Sequence, residues 1–161
     1  MRELATLDTS MKHFCTFRLE QRLYGINLSE VREVSMGLPI TPVAHAPAAV
    51  RGLANLRSRI YLVLNLRDLL GFPPAESTAE NRLVILRPAI AENVGILVDR
   101  GGDIVSVSEE RIERVPETAA APSGGETAKP QFITGICKLE TELLMVVGAG
   151  LLIDHVKRLL T

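Results

Sequence analysis

Tryptophan is absent from this chain, and aromatic residues make up only 4% of its 161 positions. A surface that holds single-stranded nucleic acid by stacking needs more aromatic faces than that. A surplus of one charge is missing as well. The 18 Lys and Arg nearly balance the 19 Asp and Glu, for a formal net charge of −1. No overall field draws in nucleic acid or acidic lipid, so any basic site has to be local. Only two cysteines are present, Cys15 and Cys137, too far apart in sequence for a metal or redox motif. They read as buried thiols in a reducing compartment. The longest apolar run, LLMVVGAGLLI from Leu143 to Ile153, falls short of the roughly 20 residues a bilayer needs. The opening MRELATLDTSMK has no apolar segment of the secretory kind. These absences lead us to expect a cytoplasmic protein.

Catalytic patterns are missing too. There is no G-x-S-x-G elbow and no phosphate-binding G-x-x-x-x-G-K-[ST] loop. Gly148-Ala149-Gly150 lacks the third glycine of a dinucleotide fingerprint. His13, His45 and His155 have no partners at metal spacing. Ser58 lies between two arginines without a visible base, and the paired Glu109-Glu110 falls on a solvated turn. We therefore expect no enzyme, no cofactor and no metal, but a binding module.

What the chain does have is apolar material, 47% of it, with 23% charged residues, enough for a packed core. The length suits one domain or two small subdomains sharing a core. Residues 1–12 read as a loose tail. FCTFRL and LYGINL follow with strand periodicity. Ser29 is placed to cap a helical turn over SEVREV, with Val31 and Val34 on one side. MGLPITPVAHAPAAV carries Pro39, Pro42 and Pro47 and reads as an extended connection. Then come IYLVLNL, a helical turn at RDLL, and the strands LVILR, VGILVD and DIVSV, followed by an irregular turn SEERIERVPE. Residues 117–131, ETAAAPSGGETAKPQ, read as a mobile internal loop. FITGIC and LLMVV resume strand patterning, and LLIDHVKRLL closes the chain at helical spacing, with Lys157 and Arg158 in its last turn. About nine short strands and little helix point to an all-β fold of barrels rather than a βαβ sheet. The halves 14–71 and 83–158 each run through strands to a Leu-rich helical turn.

One stretch combines an apolar strand with clustered charge: VRGLANLRSRIYLVLNLRDLLG, residues 50–71, carrying Arg51, Arg57, Arg59 and Arg67. Taken alone, these arginines suggest a small-barrel nucleic-acid binder, and that alternative is carried forward. Taken with the proline-rich loop before it, ITPVAHAPAAVRGLANLRSRIYLVLNL resembles the signature of CheW-type chemotaxis adaptors. SEVREV is similar to that family's V-x-E-V segment, VGILVDRGGDIVSV to its G-x-x-V-D segment, and QFITGICKLETELLMVV to its F-I-x-G-I strand pair. The pieces occur in the family's order over about residues 14–158.

The resemblance implies a single domain over 14–158, built of two SH3-like five-stranded β-barrels on a shared hydrophobic core, with a short C-terminal helix and some strands open to exchange between halves. It implies an adaptor without catalytic activity or cofactor. Its partners would be the cytoplasmic tip of a chemoreceptor and the regulatory domain of a CheA-type histidine kinase. It would be cytoplasmic and recruited to membrane-associated receptor arrays, with no nucleic acid bound. Carried over, Val31, Glu33, Val34, Gly52 and Arg57 would lie at or beside an apolar groove for the receptor tip, with Glu33 and Arg57 as an ion pair. Plainer readings stand beside these: Val31 and Val34 as ordinary core, and Arg51, Arg59 and Arg67 as charges that keep a buried strand's ends in water. The sequence departs from the family pattern at Ala44, His45, Ser58, Asn65, Gly101 and Gly148. Ser58 stands where a glycine is usual, so a left-handed backbone there carries a cost.

Overall fold

The computed structural model describes residues 10–115 and 130–161. Of the tail expected over 1–12, residues 1–9 lie outside the described residues, and Met11 and Lys12 already belong to the first strand. The loop expected over 117–131 lies outside the described residues, except for its last two, which enter a 3-10 turn at Pro130–Phe132.

The class is all-β. The first sheet contains β1 (Met11–Leu19), β2 (Arg22–Asn27), β9 (Arg100–Ser108), β10 (Ile112–Arg114), β11 (Ile133–Lys138) and β12 (Leu143–Val147), in the order β10-β11-β12-β2-β1-β9. The second contains β3 (Val31–Met36), β4 (Ile40–Thr41), β5 (Val50–Leu56), β6 (Arg59–Asn65), β7 (Arg82–Leu86) and β8 (Val94–Val98), in the order β3-β7-β8-β6-β5-β4. Among the described residues each row therefore counts six strands rather than five. The extra pieces are short: β4 is a two-residue edge within the proline-rich stretch, and β10 a three-residue edge within the expected irregular turn. Each sheet has one parallel pairing, β12 with β2 and β6 with β8. A helix follows a strand of each parallel pair: α1 (Leu66–Leu69) after β6, and α2 (Ala149–Leu160) after β12.

Among the described residues, each sheet draws strands from both of the stretches 14–71 and 83–158. The N-terminal hairpin β1–β2 pairs with strands from residue 100 onward, while, among the described residues, 31–98 supply the second sheet. Helical turns at similar places in the two halves carry no information about which strands pair.

The apolar runs are continuous because several strands are buried on both faces. On β6, Tyr61 and Val63 enter a small core inside the second sheet with Ala54, Leu83 and Ile85, whereas Leu64 enters a core shared by both sheets. On β7 the same alternation sends Leu83 and Ile85 one way and Val84 and Leu86 the other. The first sheet has its own core at Phe14, Leu23, Val107, Cys137, Leu144 and Val146. The shared core joins Phe17, Leu19, Tyr24 and Ile26 to Leu64, Leu66, Val84 and Ile96. Helix α2 adds Leu152, Ile153 and Val156 to it, so its apolar stripe is what holds it down. Each fully buried aliphatic side chain of this kind contributes about 1.5–3 kcal/mol. Cys15 and Cys137 are free and buried, and burial pushes both thiols up, away from reactivity.

Candidate functional site

The segment SEVREV is not one helical turn. Leu28–Glu30 form a 3-10 turn capped by the side chain of Asn27, not of Ser29, and Val31–Met36 continue as the edge strand β3. Asn27 wins because its carbonyl oxygen reaches both the backbone nitrogen and the hydroxyl of Ser29, at 2.9 and 2.8 Å.

Val31 and Val34 still share a face, by a different route. A bulge between Val31 and Glu33 shifts the register, so Val31 pairs with Leu86 and Val34 with Val84, both residues of the shared core. Exposure then rises along the strand, from 5% at Val31 to 44% at Val34 and 67% at Met36. The face that is core at one end of β3 emerges as an apolar stripe at the other. Val31 is thus core, as its plainer reading held, and Val34 is surface.

Arg57 reaches this strand from the tip of the β5–β6 hairpin. Leu56 pairs with Arg59, leaving Arg57 and Ser58 as a two-residue turn. Both have left-handed backbones, φ 51° and 68°, the signature of the turn whose twist suits a hairpin. Asn-Gly is the usual occupant, since neither residue resists positive φ. Here Asn55 compensates by accepting a 3.2 Å hydrogen bond from the Ser58 backbone nitrogen. The turn aims the Arg57 guanidinium at Glu33, which it meets twice: Nη1 donates to Oε2 at 2.6 Å and Nη2 to Oε1 at 2.9 Å. Strand β3 is separated from β6 by β7 and β8 in the hydrogen-bonded row. The contact therefore requires the second sheet to curl on itself, with side chains rather than a backbone ladder bridging the gap. Hydrogen bonding from Arg57 holds the Glu33 carboxyl below its usual range, and Glu33 in turn raises the guanidinium. Arg57 remains 69% exposed and Glu33 24%, so the planar fork is set but still open to a partner.

Gly52 lies five residues before Arg57 along β5, about 16 Å away at strand rise. What approaches it closely is the chain itself. With φ at 149°, a Cβ there would stand 2.3 Å from the Thr41 carbonyl oxygen and 2.9 Å from Ile40 Cγ2. Gly52 thus seats β4, and with it the proline-rich segment, on β5.

The other arginines of residues 50–71 separate. Arg59 is exposed, and Arg51 donates to the Ser77 hydroxyl at 2.9 Å. Arg67 overturns the expectation of a solvated strand-end charge: it is only 8% exposed and is bound by Glu20 and by Asp99. Nothing in the local sequence marks it, because its carboxylate partners lie 47 and 32 residues away. With Arg57 and Arg67 both matched by carboxylates, the four arginines do not form one basic patch. Glu30 was also unmarked in sequence. It borders a cleft of about 360 Å³ with Lys12, Glu109 and Arg114, and burial pushes its carboxyl up.

Among the described residues, no three His, Cys, Asp or Glu side chains are grouped to hold a metal, and no helix is long and apolar enough to cross a membrane. His13 hydrogen bonds the Ser106 hydroxyl at 2.7 Å, and His155 packs edge-on against Phe132.

The ordered motifs and the all-β fold agree with what comparison finds. A family model for the CheW-like domain matches residues 13–157. This chain belongs to the CheW-like family. It is 28% identical to the probable chemotaxis protein CheW of Rhizobium etli, over 88% of this chain and 87% of that one. It is 31% identical to the chemotaxis protein CheW of Treponema pallidum, over 82% and 76%. The crystal structure of the scaffolding protein TtCheW from Thermoanaerobacter tengcongensis superposes with a TM-score of 0.73 at 25% identity, covering 85% of this chain and 88% of that one. The departures from the family pattern now have places. Ser58 sits in the strained turn, Asn65 caps α1 by accepting from the Asp68 nitrogen, and Gly148 opens α2 without a side-chain cap.

Proposed function

We propose that this CheW-like chain is a non-catalytic signalling adaptor that couples the cytoplasmic tips of chemoreceptors to a CheA-type histidine kinase in a membrane-associated array. Its relatives are chemotaxis proteins and a scaffolding protein, which supports the class of role. The observation that carries the site is the Arg57 fork held on Glu33 at the edge strand β3, whose opposite face emerges as the stripe of Val34 and Met36. A receptor tip is a helical bundle, and an apolar helix stripe laid on Val34 and Met36 would bring its polar flank around the free edge of β3 to the Arg57–Glu33 pair. Val31 supports this stripe from the core, and Gly52 acts through β4 by seating the loop that leads into β5. The kinase regulatory domain is the second partner.

The test is co-precipitation of the purified chain with a cognate receptor tip and with the kinase regulatory domain, separately and together. Retention of both is expected; binding to neither overturns the reading. Tight binding of single-stranded RNA with a steep salt dependence would instead favour the arginine-based alternative.

A further inference from the structure

We propose that Arg67 is a positioning residue: a pin that fixes the angle between the two sheets, and so the place of the Glu33–Arg57 face relative to the first sheet. A buried guanidinium is tolerated only when its donors are met, and those of Arg67 are. Nη2 donates to Glu20 Oε2, Nη1 to Asp99 Oδ2 at 2.6 Å, and Nε to the Pro73 carbonyl at 2.8 Å, while the Phe72 ring lies 5.8 Å from the guanidinium carbon.

The origins of these partners carry the inference. Arg67 follows β6 of the second sheet. Glu20 stands in the β1–β2 turn of the first. Asp99 is the single residue between β8 of the second sheet and β9 of the first, a point where the chain crosses from one to the other. Glu20 and Asp99 are also tied directly, since the Glu20 backbone nitrogen donates to Asp99 Oδ2 at 2.8 Å, and Asn81 Nδ2 donates to the Asp99 carbonyl at 3.0 Å. Glu20 holds a left-handed φ of 56° while making these contacts. One planar fork thus closes a ring that includes a turn of one sheet, the end of a strand of the other, and the crossing between them.

The shared apolar core also joins the sheets, but hydrophobic burial has no direction and tolerates sliding. A guanidinium with donors fixed in a plane does not, and lysine cannot replace it, because an ammonium offers a point charge rather than a fork.

The test uses the free full-length chain, so its outcome is separate from whether a receptor or kinase binds. Spin labels go at Ile60 and Ile104, exposed positions on the second and first sheets, with Cys15 and Cys137 replaced by alanine. Electron–electron double resonance then reads the distance distribution between sheets. A single narrow distribution is expected for the parent, and at least a twofold broadening, or a shift of its centre, for Arg67→Lys and Arg67→Met. If Arg67→Met fails to fold, Glu20→Gln, which loosens one arm at a half-exposed turn, carries the test with the same expectation. Urea unfolding is measured beside it. A lowered midpoint with an unchanged distribution makes Arg67 a stabilising residue only and overturns the proposal.

Discussion

The guanidinium of Arg57 and the carboxylate of Glu33 meet through two hydrogen bonds, although their strands are not neighbours in the sheet. The hairpin tip is held to the edge strand by that pair. Arg57→Ala frees Glu33 and removes the fork, yet empties no core volume. We expect at least a tenfold loss of affinity for the receptor tip or the kinase regulatory domain by calorimetry. Circular dichroism and the thermal midpoint should stay near the parent values. Arg57→Lys should recover only part of the loss, because lysine cannot bind a carboxylate in two places. Unchanged affinity in both variants removes Arg57 from the site.

Ser58 holds a left-handed backbone, φ 68°, with Asn55 as its support. Ser58→Gly relieves that conformation and should stabilise the protein by about 0.5–1 kcal/mol. Urea denaturation checks it; a destabilised variant would mean that the serine hydroxyl makes a contribution the turn geometry does not account for.

At Gly52 the sign is reversed. A methyl group there would sit 2.3 Å from a backbone oxygen of β4, which cannot swing away as a side-chain end can. Gly52→Ala should cost about 2–3 kcal/mol through strain at positive φ and displacement of β4. Hydrogen exchange should show the loss first at residues 40–54, and protection there equal to the parent's would contradict the account.

Two carboxylates should report pH in opposite senses. Glu33 is depressed in the folded state, so it adds stability above its unfolded value of about 4.3 and loses it as pH falls through the folded value. Glu33→Gln should therefore be less stable than the parent at pH 7, with the gap closing in acid and narrowing in salt. Glu30 is raised by burial, so its ionised form works against folding at neutral pH. Glu30→Gln should be the more stable at pH 7, with no advantage left below about pH 4. Urea midpoints measured from pH 3.5 to 8 decide both; curves that run parallel to the parent's contradict the assignments.

Much of this molecule is legible in the chain. Alternation within IYLVLNL and LVIL records strands buried on both faces, and Tyr61, Val63, Leu64, Val84 and Ile85 are where that pattern places them. The ordered segments around SEVREV and NLRSR place the residues of the Glu33–Arg57 pair, which the structure brings into contact. The strand pattern survives because it depends on a few neighbouring residues; the pair, 24 residues apart, is legible only through the resemblance to CheW-type adaptors.

The tertiary structure decided what periodicity cannot carry. A strand's pattern says that a face is covered, not by which strand, so the pairing of β1–β2 with β9 and β12 appears only in three dimensions. Val31 and Val34 share a face through a bulge rather than a helix, and only the end of the core separates their exposures. Arg67 reads in sequence as one more charge at a strand end. Its burial depends on two carboxylates that the folded chain brings back from 47 and 32 residues away, and a charge is retained in the interior only where such partners meet it.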